Sequence, residues 1–454
     1  MTEHRRIGVA VASLSLGTAL NPLNSSMIAV ALVQLRDDFD LTVVQVTWVI
    51  TCFYLASAAL QPVIGRMADR FGPRRLFVSG MAVVAVTCVL APFSPTFALV
   101  CVSRVFMAVG TATAFPCAVA MVTTLSRQAQ VSSTRPLGAM QMANTTGAAL
   151  GPVIGGLLVS FVGWQALFFL NVPLALLSLV AVARFAPADP PRVAERMAVT
   201  LRDSDVPGIL AFTVALVAGL IAVLGALPAL TWWMAGLAVV SGALFVWREL
   251  RFDSPFLDLA LLVRNRSLMI VYLSVAVFNA VYYCAFFGLP QLFEEAGGYD
   301  AGIVGLLMLP LAAMSAFLTP VAARSIDRWG VRPVLMVGTV GLVAASALLW
   351  LFTATIGVLV VLLLVAAMGV PYCAFSIASS QGMYASARAE DRGVAAGIYQ
   401  TSRYFGAISA TTIIGVAFGS SVTTAQWGSM VPIMAALAVV TVVLSAVWRP
   451  AGRV

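Results

Sequence analysis

Two arginines stand where a charge is hardest to keep. Arg104 and Arg403 lie inside long apolar runs, and no Asp or Glu lies deep within any such run. An arginine in a bilayer interior costs about 2.5–3.5 kcal/mol on insertion scales and marks a functional site by default. Two kinds of chemistry are open to it: holding an anionic group of a ligand, or tuning a site that exchanges protons. The plainer reading is that backbone carbonyls at helix kinks satisfy both arginines. Side chains of suitable type in the apolar runs are Asn21, Asn24, Gln141 and Gln400. The rest of the chemical inventory is thin. All 26 Lys+Arg residues are arginine, so there is no lysine for a Walker A phosphate loop or for a Schiff base. That excludes an ATP-driven pump of the Walker type; any pumping must draw on an ion or substrate gradient. His4, in the N-terminal tail, is the only histidine. Cys52, Cys88, Cys101, Cys117, Cys284 and Cys373 fall in apolar runs with no CxxC and read as buried small hydrophobes. Neither a metal nor another cofactor is expected.

The elements that must position these residues are membrane helices. Hydrophobic residues make up 61% of the chain and charged residues 10%, against about a quarter charged in a soluble domain; mean hydropathy is +1.00. A span needs roughly 20 apolar residues. Such runs recur near 7–34, 42–64, 76–93, 97–119, 136–160, 166–183, 206–226, 231–247, 267–290, 301–323, 333–353, 355–378, 394–418 and 429–448. The first exceeds the roughly 7–15 residues of a signal-peptide core and reads as a retained helix. Fourteen spans put both termini on one side. With the N-terminus inside, 23 of the 26 arginines fall in cytoplasmic segments, leaving Arg36 outside and Arg104 and Arg403 within spans. This is the positive-inside asymmetry. It accounts for the net charge of +8 as topology, not as nucleic-acid binding. Asp37, Asp38, Asp40, Glu294, Glu295 and Asp300 fall at the outer boundary.

An internal repeat fixes the organisation. Asp69-Arg-Phe-Gly-Pro-Arg74 follows span 2, and Asp327-Arg-Trp-Gly-Val-Arg332 follows span 10. Two six-helix repeats alone would give an offset of six spans; the offset is eight. Spans 7 and 8 are therefore read as an insertion. The expected divisions are an N-terminal six-helix bundle (residues 1–187), a linker with two inserted helices (188–265) and a C-terminal six-helix bundle (266–454). In span 5, Gly147, Gly151 and Gly155 recur every fourth residue and share one helix face, beside Pro152 and Gly156. Missing side chains there let another helix approach closely, and Pro152 removes a backbone hydrogen bond and is expected to bend the helix. A packing seam alone would have the same pattern.

These motifs resemble the major facilitator superfamily. Gly147-x-x-x-Gly151-Pro152-x-x-Gly155-Gly156 is similar to its antiporter motif, and Gly65-x-x-Ala68-Asp69-Arg70-x-Gly72-x-Arg74-Arg75 to its loop signature. Trp164, Phe168 to Pro173, Trp247 to Glu249, Pro255 to Leu259, Arg264 to Arg266, Gly302, Leu306, Pro310, Gly393, Gly397, Arg403 and Gly406 extend the likeness over essentially the whole chain. The pattern is that of the fourteen-helix drug:proton antiporters. The resemblance implies a major facilitator fold with alternating access, and a conformational latch in Gly65, Asp69, Arg70, Gly72 and Arg74. Asp69 also suits the N-terminus of span 3 by charge, although a positive-inside loop is the simpler account. A weaker copy stands at Asp327 and Arg328, where Ala323 replaces the first glycine.

The departures are informative. Where the family carries an acid in span 1, this chain has Asn24. Near Arg104 the usual glutamine and first glycine are Met107 and Ala108. At the outer end of span 9, Glu294 fills a slot that is usually glutamine. With Asn24 in place, Glu294 is the remaining candidate proton carrier, withdrawn from water beside Phe286, Phe287 and Phe293; the alternative is a solvated helix-end acid like Glu295. By the superfamily pattern, spans 1, 4, 9 and 12 line the cavity with Asn21, Asn24, Arg104, Thr111, Asn279, Tyr282, Tyr283, Tyr372 and Phe375, joined by Gln400 and Arg403 of span 13. Aromatic walls with few polar groups suit an amphiphilic ligand, and ordinary packing would use the same residues. The expected protein is a monomer in a bacterial inner membrane, both termini cytoplasmic, exporting amphiphilic small molecules such as drugs, antibiotics or metabolites against proton entry. A proton-independent carrier of anionic metabolites or lipids is the alternative, and a non-transporting membrane sensor is a third.

Overall fold

A computed structural model describes residues 3–130, 134–189, 205–224, 228–251, 265–352, 357–387, 392–419 and 421–449. Among these there is no strand. Apolar runs that cannot hydrogen-bond to lipid close every backbone bond locally, which makes them helices. The helices are α1 (Glu3–Met27), α2 (Leu32–Asp38), α3 (Val43–Val46), α4 (Trp48–Phe71), α5 (Pro73–Leu90), α6 (Phe97–Ala112), α7 (Ala114–Gln128), α8 (Thr134–Phe161) and α9 (Gln165–Phe185). They continue as α10 (Val206–Leu224), α11 (Thr231–Glu249), α12 (Arg266–Glu295), α13 (Ala301–Trp329), α14 (Val331–Leu348), α15 (Val358–Ser386), α16 (Arg392–Phe418) and α17 (Thr424–Val447).

Ten stretches among the described residues are long and apolar enough to cross a bilayer, or eleven when a bent pair at the start of the chain is one span. The expected first span is shorter than its apolar run. The helix stops at Met27, passes through a single turn at Ile28–Val30, and resumes in α2 at an angle of 61°. α10 carries an apolar stretch of only Pro207–Val223. α11 and α16 are helical over the two remaining expected ranges. The membrane signature is on the outside. Trp232 is 87% exposed, Phe161 82% and Phe317 79%, apolar surface on a scale that marks contact with lipid or a partner.

The repeat has a physical basis in its glycines. Gly72 joins α4 to α5 at φ +91°, and Gly330 joins α13 to α14 at φ +86°. A side chain is strained in that region, and glycine is not. The arginine two residues later does the same work in both copies. Arg74 donates to the carbonyl of Ala183 at the end of α9, and Arg332 donates to the carbonyl of Ala446 at the end of α17, 2.6 Å away. Each satisfies a helix-terminal acceptor that the helix itself leaves open.

Helices α1–α9 and α12–α17 meet along two seams, α8 on α13 and α4 on α16. α10 and α11 pair with one another, and α10 leans on both α4 and α16, with Phe212 against Phe405 at 5.7 Å. The hairpin is tied at its base by an ion pair from Arg248 to the fully buried Asp205. Contact between the N- and C-terminal helices is made at the arginine-poor end, where α1 finishes and α13 begins. There Arg36 of α2 pairs with Glu295 of α12, and the hydroxyls of Thr51 and Thr411 lie 2.9 Å apart.

Candidate functional site

The glycines of α8 serve two neighbours. A Cβ at Gly151 would lie 1.7 Å from the Ser26 hydroxyl, and one at Gly155 would lie 2.9 Å from the Met27 carbonyl; Gly147 faces the Ala19 carbonyl at 3.2 Å. All three therefore seat α1. Gly156 points to the other group of helices: its Cβ would lie 2.4 Å from the Ala301 carbonyl, and a Cβ at Gly305 would lie 2.4 Å from the Pro152 carbonyl. α8 and α13 thus cross with backbone on backbone. α8 runs as one helix through Pro152.

Arg104 is 2% exposed. Its guanidinium lies over the Phe53 ring, 4.4 Å from the centroid, and its Nε donates to the Val49 carbonyl at 3.3 Å. No carboxylate among the described residues pairs with it. A carbonyl and an aromatic face hold it against α4. Asn21 donates to Thr111 at 3.1 Å, joining α1 to α6. Asn24 is buried. Its amide donates to Asn171 at 2.9 Å and accepts from Asn171 at 2.7 Å, a closed pair between α1 and α9.

Arg403 occupies the middle of α16 and is half-buried. It donates to Gln400 Oε1 and to the Tyr372 hydroxyl, each at 3.1 Å. Tyr372 stacks on Tyr282 at 4.1 Å, and Tyr283 stacks on Phe287 at 5.2 Å. Asn279 donates to the Val275 carbonyl of its own helix; its Oδ1 is buried with no partner. Phe375 stacks on Phe278 at 3.8 Å and is 1% exposed, so it packs within α12–α17.

Sequence reasoning missed Tyr54. It projects from α4 to Tyr283 at 5.7 Å, Phe287 at 6.3 Å and Tyr404 at 5.6 Å, and so joins the N-terminal helices to the arginine-bearing α16. The superfamily pattern assigns the cavity to spans 1, 4, 9 and 12 and so leaves out span 2; the available signal is a lone tyrosine deep in that span.

The expected latch rests on Gly65 and on the side chains of Asp69 and Arg70, which lie outside the described residues. The acid seen at the start of α5 is Asp189, which accepts from the backbone N–H of Arg74 and of Arg75, both at 2.9 Å, and sits 3.8 Å from the Arg75 side chain. It occupies the helix N-terminus, where a carboxylate is favoured, and ties the chain after α9 back to α5. The available signal was an acid in Pro187-Ala-Asp-Pro-Pro191, at the start of a loop of mixed charge. Asp327 and Arg328 are exposed on the last turn of α13.

Glu294 is half-buried at the end of α12, and its Oε1 is buried with no hydrogen-bond partner. Its charged neighbours are Asp300, Glu295, Asp37 and Arg36. Of the aromatic residues expected beside it, Phe286 packs on Tyr282, Phe287 on Tyr283 and Phe293 on Phe352. Glu295 is not a solvated acid either, since it holds Arg36. Asp300 accepts from Gly302 N–H at 2.9 Å and caps α13.

No group of three metal ligands stands among the described residues. Two groups of helices meet along α8–α13 and α4–α16, with partly buried polar side chains on α1, α15 and α16. Known proteins share this fold. The chain matches the solved nucleoside transporter NupG with a TM-score of 0.66 over 98% of this chain and 99% of that one, at 12% identity, a likeness of fold alone. It is 34% identical to the uncharacterized MFS-type transporter YwoD of Bacillus subtilis (strain 168), over 96% of this chain and 95% of that protein. It is 28% identical to the tetracenomycin C resistance and export protein of Streptomyces glaucescens, covering 90% and 76% of the two chains. Identity is again 28% to the multidrug efflux pump LfrA of Mycolicibacterium smegmatis (strain ATCC 700084 / mc(2)155), covering 91% and 81%. The sequence profile of the Major Facilitator Superfamily covers residues 14–411, and with that the chain belongs to this superfamily as a multi-pass membrane transporter, not an enzyme.

Proposed function

We propose that this chain exports amphiphilic small molecules by alternating access, coupled to proton entry, as a fourteen-span member of the drug:proton antiporters. The observation that carries this is the backbone contact of Gly156 with Gly305. It closes the arginine-poor end, while Asn21, Tyr283, Tyr372, Gln400 and Arg403, all within helices, are only partly buried. One sealed end and one accessible midplane is what a carrier needs in each of its two states. Two relatives bear export or efflux in their names, which supports the direction of transport. Residues 1–187 and 266–454 are then the two moving bundles, with the α10–α11 hairpin in 188–265 inserted between them, and the working unit is a monomer.

The arginine asymmetry supports an orientation with both termini in the cytoplasm of a bacterial inner membrane. The sealed arginine-poor end then faces outward. Cysteine placed at Ala229 in the α10–α11 turn, on a background without the six native cysteines, should react with an impermeant maleimide only from outside. Labelling from the cytoplasm alone would remove both the hairpin and the orientation.

The transport reading is tested in proteoliposomes carrying an imposed pH gradient, with a panel of cationic, neutral and anionic amphiphiles. Proton-driven accumulation of at least one is expected; a chain that moves none would be a sensor instead. One observation favours the proton-independent alternative. Asn24, where the resemblance places an acid, is locked to Asn171 by two amide hydrogen bonds, and a neutral pair carries no proton. Flux that ignores the pH gradient would establish that alternative.

A further inference from the structure

Arg403 is charged at every working pH, because a guanidinium does not deprotonate in proteins. Its two hydrogen bonds go to neutral oxygens, Gln400 Oε1 and the Tyr372 hydroxyl. Among the described residues no carboxylate pairs with it. These bonds orient the guanidinium without cancelling its charge. The second deep arginine, Arg104, also lacks a carboxylate, but it is fully buried against α4 by the Val49 carbonyl and the Phe53 ring. Arg403 is therefore the deep positive charge that stays partly accessible, and no described carboxylate answers it.

Flat aromatic surfaces lie beside Arg403. The ring of its partner Tyr372 lies on Tyr282 at 4.1 Å with 21° between planes. Tyr283 lies on Phe287 at 5.2 Å with 11° between planes. Tyr54 closes the group from α4, against Tyr283 and Tyr404. Such faces accept another flat ring by offset stacking, and an arginine fork accepts a carboxylate in its plane. We infer that Arg403, held by Tyr372 and flanked by Tyr282 and Tyr283, is the anion subsite of the central cleft, and that its ligands are planar aromatic compounds bearing one carboxylate. This deepens the transport reading and rests on it for the cleft being a substrate site.

The test is equilibrium binding, which needs neither flux nor a proton gradient. The full chain in lipid nanodiscs is titrated with anthracene-2-carboxylate, with its aminomethyl cation and with its hydroxymethyl neutral analogue, and empty nanodiscs are subtracted. The carboxylate should bind saturably and about ten-fold or more tighter than the cation. Arg403→Gln should weaken the carboxylate by about ten-fold, the loss expected for a hydrogen bond to a charged group, and leave the neutral analogue unchanged. If Arg403→Gln lowers the melting temperature too far to be titrated, Tyr372→Phe decides. It keeps the ring and releases the guanidinium, and should weaken only the carboxylate. Equal or tighter binding of the cation overturns the inference, as does carboxylate binding that neither variant changes, or no saturable carboxylate binding. A chain that binds the carboxylate yet transports nothing fails as a transporter while the subsite stands. One that pumps and prefers the cation fails only here.

Discussion

Gly156→Leu is expected to cut transport by about ten-fold or more while leaving the protein folded. The Cβ alone would sit 2.4 Å from the Ala301 carbonyl and 3.0 Å from Gly305 Cα. These are backbone atoms of α13, which cannot turn aside as a flexible side chain can. Relief comes only by moving α13 off α8, and that opens the arginine-poor end. Overpacking costs about 1–3 kcal/mol, and 1.4 kcal/mol is already a factor of ten in the balance between two states. A carrier held away from one of its states turns over slowly. Gly151→Leu, five residues earlier, should act differently. Its Cβ meets Ser26 and the Met27 N–H of α1, within the same group of helices, so the cost falls on folding and the melting temperature drops. Spin labels at Val162 and Ser421 on a Gly156→Leu background should report a longer distance than in the parent. An unchanged distance with full transport would mean that this crossing is not a gate.

The contrast between these glycines shows what the sequence could carry. Spacing alone put Gly147, Gly151 and Gly155 on one helix face, because a fourfold recurrence is geometry. It did not show that α1 lies on that face or that Gly156 faces a different helix group, since partner identity is a long-range property. The same limit applies elsewhere. Arg104 and Arg403 stood out because an uncompensated charge in an apolar run is improbable without a use. Asn24 was placed in the cleft by resemblance, whereas its amide is closed on Asn171, an asparagine 147 positions away that nothing local connects to it. Asp69 stands next to α5 in sequence, and nothing local connects Asp189 to that helix. The end of α9 returns to α5, and proximity in the fold brings Asp189 to its N-terminus. The bend of the first span has no signal in composition, because apolar character continues through Ile28–Val30, where the α-helix tightens to a 3-10 turn. Composition records where lipid can be, and the 61° turn into α2 is set by packing.

Glu294→Gln should abolish most proton-driven uptake into inverted vesicles while substrate exchange persists. The buried Oε1 of Glu294 has no donor, and a buried oxygen without a partner is costly to keep charged. Around it stand Asp300, Glu295 and Asp37, with Arg36 as the one cation among these neighbours, and Arg36 is engaged by Glu295. Closing the arginine-poor end therefore gathers acids around one arginine, and a proton on Glu294 relieves that crowding. In this way proton uptake from outside would favour closure at that end, and release would follow once the cleft opens to the other side. A proton crossing about 60 mV of the field supplies about 1.4 kcal/mol, a factor of ten in accumulation. Glu294 lies near the outer boundary and samples only part of that field, so the path inward must be completed by water near Arg104 and Arg403. Glutamine keeps the neutral form in both states. Alternation continues, exchange of substrate for substrate continues, and the gradient loses its hold. Proton movement that still follows substrate in Glu294→Gln would take this residue out of the coupling. The carrier would then lie elsewhere, or the flux would be independent of protons, as the neutral Asn24–Asn171 pair favours.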